Sequence, residues 1–105
     1  MAVRSEAMRE IYRGETLVVR AGYDDAGRLA IDGEDRGGHP MFEEYEYYIR
    51  IEQEYFAAVR AALNGAAGTD LVGLLEDRAS ELVRRGETAW LKAHGIPYDF
   101  HTWTH

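Results

Sequence analysis

The stretch Tyr45-Glu46-Tyr47-Tyr48-Ile49-Arg50-Ile51-Glu52 decides the fold, because its apolar and polar residues alternate with a period of two. One parity carries Tyr45, Tyr47, Ile49 and Ile51, and the other carries Glu46, Tyr48, Arg50 and Glu52. Successive side chains of a β-strand point to opposite faces of the sheet. The stretch is therefore predicted to be an antiparallel strand with one buried face and one face in water.

Two shorter segments before this strand predict a β-hairpin. Residues 16–23 alternate in the same way and contain β-branched side chains, as strands do. Residues 24–27, Asp-Asp-Ala-Gly, have the composition of a turn, and residues 28–32 then return with Leu29 and Ile31 on one face. Residues 33–40 are expected to form a polar loop.

The apolar period becomes helical after Gln53. Apolar stripes predict three helices, at about residues 56–63, 70–85 and 87–94, each followed by a glycine that favours a helix end. Alternation returns from Tyr98 onward and predicts a last strand. The order β-β-β-α-α-α-β indicates an α+β domain, in which helices pack on one face of a four-stranded, mostly antiparallel sheet.

The length of 105 residues suits a single domain, and we expect residues 1–105 to form one. Residues 1–15 are ambiguous and are expected to be either flexible or a short extra element. The chain has no cysteine, no apolar run long enough to span a membrane and no secretory leader at its start. These features predict a cytoplasmic protein that does not associate with membranes.

The net charge of −7 belongs to one segment of the chain. Residues 24–54 contain ten acidic residues and three arginines, whereas the remainder contains nine acidic and nine basic residues. Such a surface repels phosphate and argues against direct binding of nucleic acid. It attracts a basic protein and speeds the encounter. The alternative is a solvated acidic face whose only effect is solubility.

Residues that carry catalysis are scarce. The two serines, Ser5 and Ser80, lack the setting of a hydrolase nucleophile, and no glycine-rich phosphate loop is present. His101 and His105 are four residues apart, which on a strand is about 13 Å and too far for one zinc ion. The sequence therefore predicts that the protein has no cofactor and no metal site. It favours a protein that is not an enzyme over one that is.

A binding patch is expected if the last strand lies beside residues 45–52. The water-facing side chains of the two strands would then meet, and tyrosine, tryptophan and arginine are the residues that dominate binding hot spots. The candidate binding residues are Glu43, Glu44, Glu46, Tyr48, Arg50, Glu52, Asp99, His101 and Trp103.

Two resemblances bear on the function. The run Glu-Tyr-Glu-Tyr-Tyr at residues 44–48 and the tail Ala-His-Gly-Ile-Pro-Tyr-Asp-Phe at residues 93–100 resemble features of small actinobacterial α+β proteins of unassigned function. This resemblance covers about the last two thirds of the chain and implies no active site. In size, acidity and order of elements the chain is also similar to immunity proteins that neutralise bacterial toxins, which implies an inhibitor of a basic toxin or nuclease.

Two other functions are compatible with the same residues. One is a small enzyme or ligand-binding domain with a pocket near Asp99 and His101, which requires those groups to converge in a concave site. The other is a homo-oligomeric accessory protein, for example a homodimer in which Tyr48 and Trp103 pair across a two-fold axis.

Overall fold

The computed structural model describes residues 8–37, 41 and 43–104, and these residues form an α+β fold. A five-stranded antiparallel sheet has its strands in chain order, β1-β2-β3-β4-β5. The strands are β1 (Met8–Arg13), β2 (Leu17–Tyr23), β3 (Leu29–Arg36), β4 (Glu44–Ile51) and β5 (Asp99–Thr104). The helices are α1 (Phe56–Ala62), α2 (Leu71–Asp77), α3 (Ala79–Arg85) and α4 (Glu87–Ala93).

Strand β4 has the predicted amphipathic form and lies near the middle of the core. Its side chains Tyr47, Ile49 and Ile51 are buried beneath the helices, whereas the alternate residues are only half-buried. The core contains apolar residues from the sheet and from the helices, and its largest fully buried members are Leu29, Ile49, Ile51, Leu71, Leu75, Leu91, Val19 and Val59.

The prediction of four strands is wrong by one, because residues 8–13 form β1. The pairing register of β1 with β2 shifts between Glu10 and Tyr12. This β-bulge lets the neighbours Ile11 and Tyr12 both pack against the core. Two adjacent apolar residues break the period of two, which is why the sequence did not distinguish a strand from a helical turn there. Residues 1–7, part of the same ambiguous segment, lie outside the described residues.

Strand β3 is longer than predicted and continues to Arg36, so the expected loop at residues 33–40 is wrong for its first four residues. Gly33 indicated a loop, but it lies within the strand directly opposite Tyr47. A β-carbon at this position would overlap the Tyr47 ring, and the close packing of the ring on the backbone therefore requires glycine. The remainder of the expected loop includes residues 38–40, which lie outside the described residues.

The helix predicted at residues 70–85 is two helices, α2 and α3, which meet at Arg78. The backbone of Arg78 has φ −112° and ψ 12° and so leaves the helical conformation for one residue. Leu75 before the break and Leu82 after it are both buried, so the apolar stripe continues across it and does not reveal it. No helix in the described part of the chain is long and apolar enough to cross a membrane.

Candidate binding face of the sheet

The two faces of the sheet have different chemistry. The helices pack against the face that carries the buried residues of β2, β3 and β4. The alternate residues lie on the other face, which we call the open face. Its polar and aromatic side chains include Arg20, Asp32, Glu34, Arg36, Glu44, Glu46, Tyr48, Arg50, Asp99, His101 and Trp103.

Strand β5 pairs with β4, and this pairing brings the predicted patch together. Glu46 lies opposite Trp103, Tyr48 opposite His101, and Arg50 opposite Asp99. Strands β4 and β5 are therefore adjacent, as the predicted patch requires. The role of the patch in binding stays a prediction.

The three remaining candidates lie at the ends of β4. Glu44 begins the strand opposite Arg36, and Glu43 is exposed just before it. Glu52 follows the strand, and its carboxylate lies 3.7 Å from the Arg28 guanidinium. The same guanidinium lies 3.7 Å from Asp99, so one arginine joins the ends of β4 and β5.

Arg50 is held by the fold. Its side chain is only 12% exposed, and its Nη1 donates to Asp32 Oδ1 at 2.5 Å. Its Nε lies 3.5 Å from Asp24 Oδ2, and Asp24 also accepts two hydrogen bonds from Arg28. Burial alone would raise the pKa of Asp24, but the hydrogen bonds from Arg28 outweigh it and lower that pKa. Arg50 therefore links β4 to Asp32 of β3 and to Asp24 in the turn before β3.

Three carboxylates form an acidic centre in the middle of the open face: Asp32, Glu34 and Glu46. Glu34 and Glu46 are directly opposite each other on β3 and β4, and Asp32 is opposite Tyr48 in the next pair on the same face. They line a shallow groove of about 220 Å³ that also contacts Met8 and Arg20.

The surroundings of the acidic centre shift two pKa values. Burial raises the pKa of Asp32, and the charge of Glu46 adds to that effect, while the hydrogen bond from Arg50 opposes it. The Tyr48 hydroxyl donates to Glu46 Oε1 at 2.6 Å. Burial and then this hydrogen bond raise the pKa of Tyr48 to about 12, so the phenol remains a donor at neutral pH.

The acidic excess belongs to the sheet layer. Residues 56–98, which include all four described helices, contain five acidic and five basic residues and are neutral. Of the ten acids in residues 24–54, Asp32, Glu34, Glu44 and Glu46 lie on the open face. Others lie elsewhere: Asp35 has the opposite parity, and Glu54 is in the short 3-10 helix before α1. The side chains named above give the open face five carboxylates and three arginines, a net charge of −2, so most of the acidic excess lies elsewhere in the sheet layer and its loops.

Sequence reasoning missed Asp32 and Glu34 as site residues. It placed Glu34 in a loop, because Gly33 interrupted the strand pattern. The signal that was available is the alternation of Asp32, Glu34 and Arg36, which continues past Gly33 with the period of a strand.

The pocket expected near Asp99 and His101 does not bring these two residues together. Asp99 lines a groove of about 210 Å³ with Arg50, Glu52, Tyr55, Pro97 and Tyr98, and His101 is not among the lining residues. His101 instead lies on the open face opposite Tyr48. Among the described residues no three histidines or carboxylates are placed to hold a metal ion. His105, the other histidine of the spacing considered above, lies outside the described residues.

A carboxyl group on the helical side links β4 to α4. The Tyr47 hydroxyl donates to Glu87 Oε2 at 2.5 Å, and the Tyr47 ring stacks on Phe100 with the ring centroids 6.3 Å apart. Burial raises the pKa of Glu87, although the hydrogen bond from Tyr47 opposes it. This part-buried pair joins β4 to α4 on the helical side of the sheet.

Glu87 predicts a specific pH dependence of stability. Because its pKa is raised in the folded state, the folded protein binds more protons than the unfolded chain above the ordinary value of 4.5. The contribution of Glu87 to the free energy of unfolding is therefore lost as the pH rises from 4.5 through the folded pKa. In Glu87→Gln, whose amide oxygen can still accept the bond from Tyr47, we expect this loss to be absent.

Urea unfolding of the wild type and Glu87→Gln at a series of pH values measures the difference directly. The variant should gain stability relative to the wild type as the pH rises through that window. If the free energies of unfolding of the two proteins change with pH in parallel, Glu87 does not titrate in this way. Exposed Asp77→Asn serves as the matched control, because it removes one carboxylate from the surface of α2.

Comparison of the chain with protein-family models, with curated proteins and with solved structures found no match. The resemblances that the tail and the order of elements suggested therefore remain expectations.

Proposed function

We propose that this chain is a non-enzymatic, acidic binding protein that docks a basic protein on its open face. The observation that supports the proposal most strongly is the acidic centre, where Glu34 and Glu46 face each other across β3 and β4 beside Asp32. The proposal extends to an immunity-type inhibitor of a basic toxin or nuclease, acting in the cytoplasm.

Glu34 and Glu46 repel each other across the strands, although each has a partner of its own: Arg36 Nη2 lies 3.3 Å from Glu34 Oε2, and the Tyr48 hydroxyl donates to Glu46 Oε1. Like charges directly opposite each other on neighbouring strands are destabilising. Unfavourable arrangements of residues occur at functional sites, where a bound ligand can offset the repulsion between like charges. A lysine or arginine of a partner, placed between Glu34 and Glu46, would relieve the repulsion, and the relief favours the bound state.

The side chains around the acidic centre suit a protein partner. Tyr48 lies within the open face, and Trp103, which is 47% exposed, lies opposite Glu46 on β5. Tyrosine and tryptophan provide large contact areas at interfaces and are enriched in hot spots. Because residues 56–98 are neutral, the acidic excess of the sheet and its loops, rather than the helices, attracts a basic partner.

The inhibitor role follows from the chemistry of the target. Proteins that act on nucleic acid bind phosphates through lysine and arginine. The carboxylates of the acidic centre offer such a surface an alternative set of anions. An acidic protein bound there would exclude the nucleic acid and need no catalytic group of its own.

We expect the charge reversal Glu34→Lys to abolish binding of the basic partner without unfolding the protein. The substitution replaces the Glu34–Glu46 repulsion with an opposite-charge pair, which is worth about 0.2–1 kcal/mol. It also removes the solvent-accessible pair of Glu34 with Arg36, which is worth a similar amount, so we expect the fold to be kept. Asp77→Lys is the matched control: it makes the same change in charge at an exposed position of α2.

Immobilised wild type, Glu34→Lys and Asp77→Lys should be exposed at low salt to lysate of the source organism. Basic proteins retained by the wild type and by Asp77→Lys, but not by Glu34→Lys, are the candidates. Each is then purified, and its toxic or nuclease activity is titrated with the three proteins. The proposal predicts inhibition by the wild type and by Asp77→Lys alone. Equal retention by all three proteins, or retention of no basic protein, would refute it.

A further inference from the structure

We propose that two copies of this chain pair antiparallel through their β5 strands and form a closed two-fold dimer with a continuous ten-stranded sheet. This inference goes beyond the proposed function, because it concerns the edge of the sheet rather than the open face. It also differs from the homodimer considered above, in which Tyr48 pairs with Trp103. Here hydrogen bonds between the main chains of the two β5 strands join the copies.

The edge formed by β5 has the properties of a pairing site. All six of its residues are exposed, and on its outer side no other strand of the described residues pairs with it. Natural proteins protect edge strands with lysine, proline, bulges or very short length. Asp99–Thr104 contains no lysine or proline and pairs with β4 in unbroken register. Its aromatic and threonine residues have high β-propensity.

The opposite edge, β1, carries the protection that β5 lacks. It contains the charged residues Arg9, Glu10 and Arg13, and a bulge interrupts its register. Arg9 Nη1 also donates to Glu76 Oε1 at 3.2 Å, which joins α2 to this edge. Among the described strands, β5 is therefore the edge that a second copy can join. Association of β5 with β5 closes after two copies, whereas addition of β5 to β1 would continue into a filament.

The net charge of −7 does not prevent a second copy from pairing with β5, because few charged residues lie close to this edge. The strand's single formal charge at neutral pH is at its first residue, Asp99, with His neutral. If His101 is at the two-fold axis, antiparallel pairing places the two Asp99 residues four residues apart, about 14 Å along the strand. The two β4 strands are three strand spacings apart, also about 14 Å. Both distances exceed the screening length of about 8 Å at physiological salt.

A two-fold axis perpendicular to the sheet keeps the same face of both copies on the same side. Both acidic centres would then lie on one surface of the dimer, and the two β3 strands would be five strand spacings, about 24 Å, apart. The open faces of both copies stay accessible to solvent in this dimer.

Sedimentation velocity of the full chain, from about 1 µM to about 1 mM, tests the inference. We expect the wild type to shift from monomer to dimer in this range. Thr102→Lys places a charge in the middle of β5 on both copies and should weaken dimerisation by about tenfold or more. Ala61→Lys adds the same charge at an exposed site of α1 and should leave the dimer unchanged.

Amide hydrogen exchange of the wild type at low and high concentration locates the contact. Amides within residues 100–104 should gain protection at high concentration, while those of β1 should not. A monomer throughout the range would overturn the inference, as would equal effects of Thr102→Lys and Ala61→Lys. Protection of any other surface in place of β5 would also overturn it. Near-identical circular dichroism and melting of the variants ensures that a loss of dimer is not a loss of fold.

Discussion

Arg50→Ala is expected to lower the free energy of unfolding by about 2 kcal/mol, because it leaves the half-buried carboxylate of Asp32 without its cation. Arg50 is 12% exposed and lies between Asp24, 7% exposed, and Asp32, 22% exposed. Asp24 retains Arg28 after the substitution, but Asp32 loses the hydrogen bond that opposes its desolvation. Urea unfolding at neutral pH measures the loss.

Arg28→Ala is the matched control for Arg50→Ala. Arg28 also bonds to Asp24, but it is 32% exposed, and its contacts to Glu52 and Asp99 are long and open to solvent. Its removal should therefore cost less. The double variant Asp32→Asn/Arg50→Ala should recover part of the loss, because it removes the carboxylate that Arg50 neutralises. A loss below about 1 kcal/mol for Arg50→Ala would mean that water solvates Asp32 adequately.

Gly33→Ala should destabilise the protein by about 3 kcal/mol, through overpacking against a ring that has little freedom to move. A β-carbon at this position overlaps the Tyr47 ring. The ring is held by the bond to Glu87 on one side and by stacking on Phe100. Thermal or urea unfolding measures the change.

Gly73→Ala in α2 is the control for that substitution. Its β-carbon would have ordinary contacts, the nearest being Asp70 Oδ2 at 3.5 Å. Alanine favours a helix over glycine by about 1 kcal/mol, so this variant should be more stable than the wild type. Combining Gly33→Ala with Tyr47→Ala should cost much less than the sum of the single changes. Additive losses would show that the ring is not the obstacle.

The sequence was most informative where a regular period coincides with burial. The alternation around Ile49 identified β4 and assigned Tyr47 inward and Tyr48 outward, because period and burial agree at residues 46–51 of that strand. The last strand was found in the same way, although no buried face supports it. Its neighbour in the sheet was not predictable, since local alternation contains no information on which strands pair.

The features that the sequence hid depend on contacts between distant residues. Gly33 indicates a loop until Tyr47 is known to cover it. Ile11 and Tyr12 break the strand pattern until the bulge is known. The acidic centre likewise arises from pairing, since Glu34 and Glu46 are twelve positions apart in the chain and meet only through the β3–β4 register.

The most direct test of the acidic centre is the association rate of the captured basic protein, measured as a function of salt for the wild type and Glu34→Lys. Between about 50 mM and 500 mM salt the wild-type rate should fall about tenfold or more, because screening removes the steering by the open face. The variant should associate more slowly at low salt and depend less on salt. Equal rates and equal salt dependence for the two proteins would contradict the account, because the partner would then approach without sensing the acidic centre.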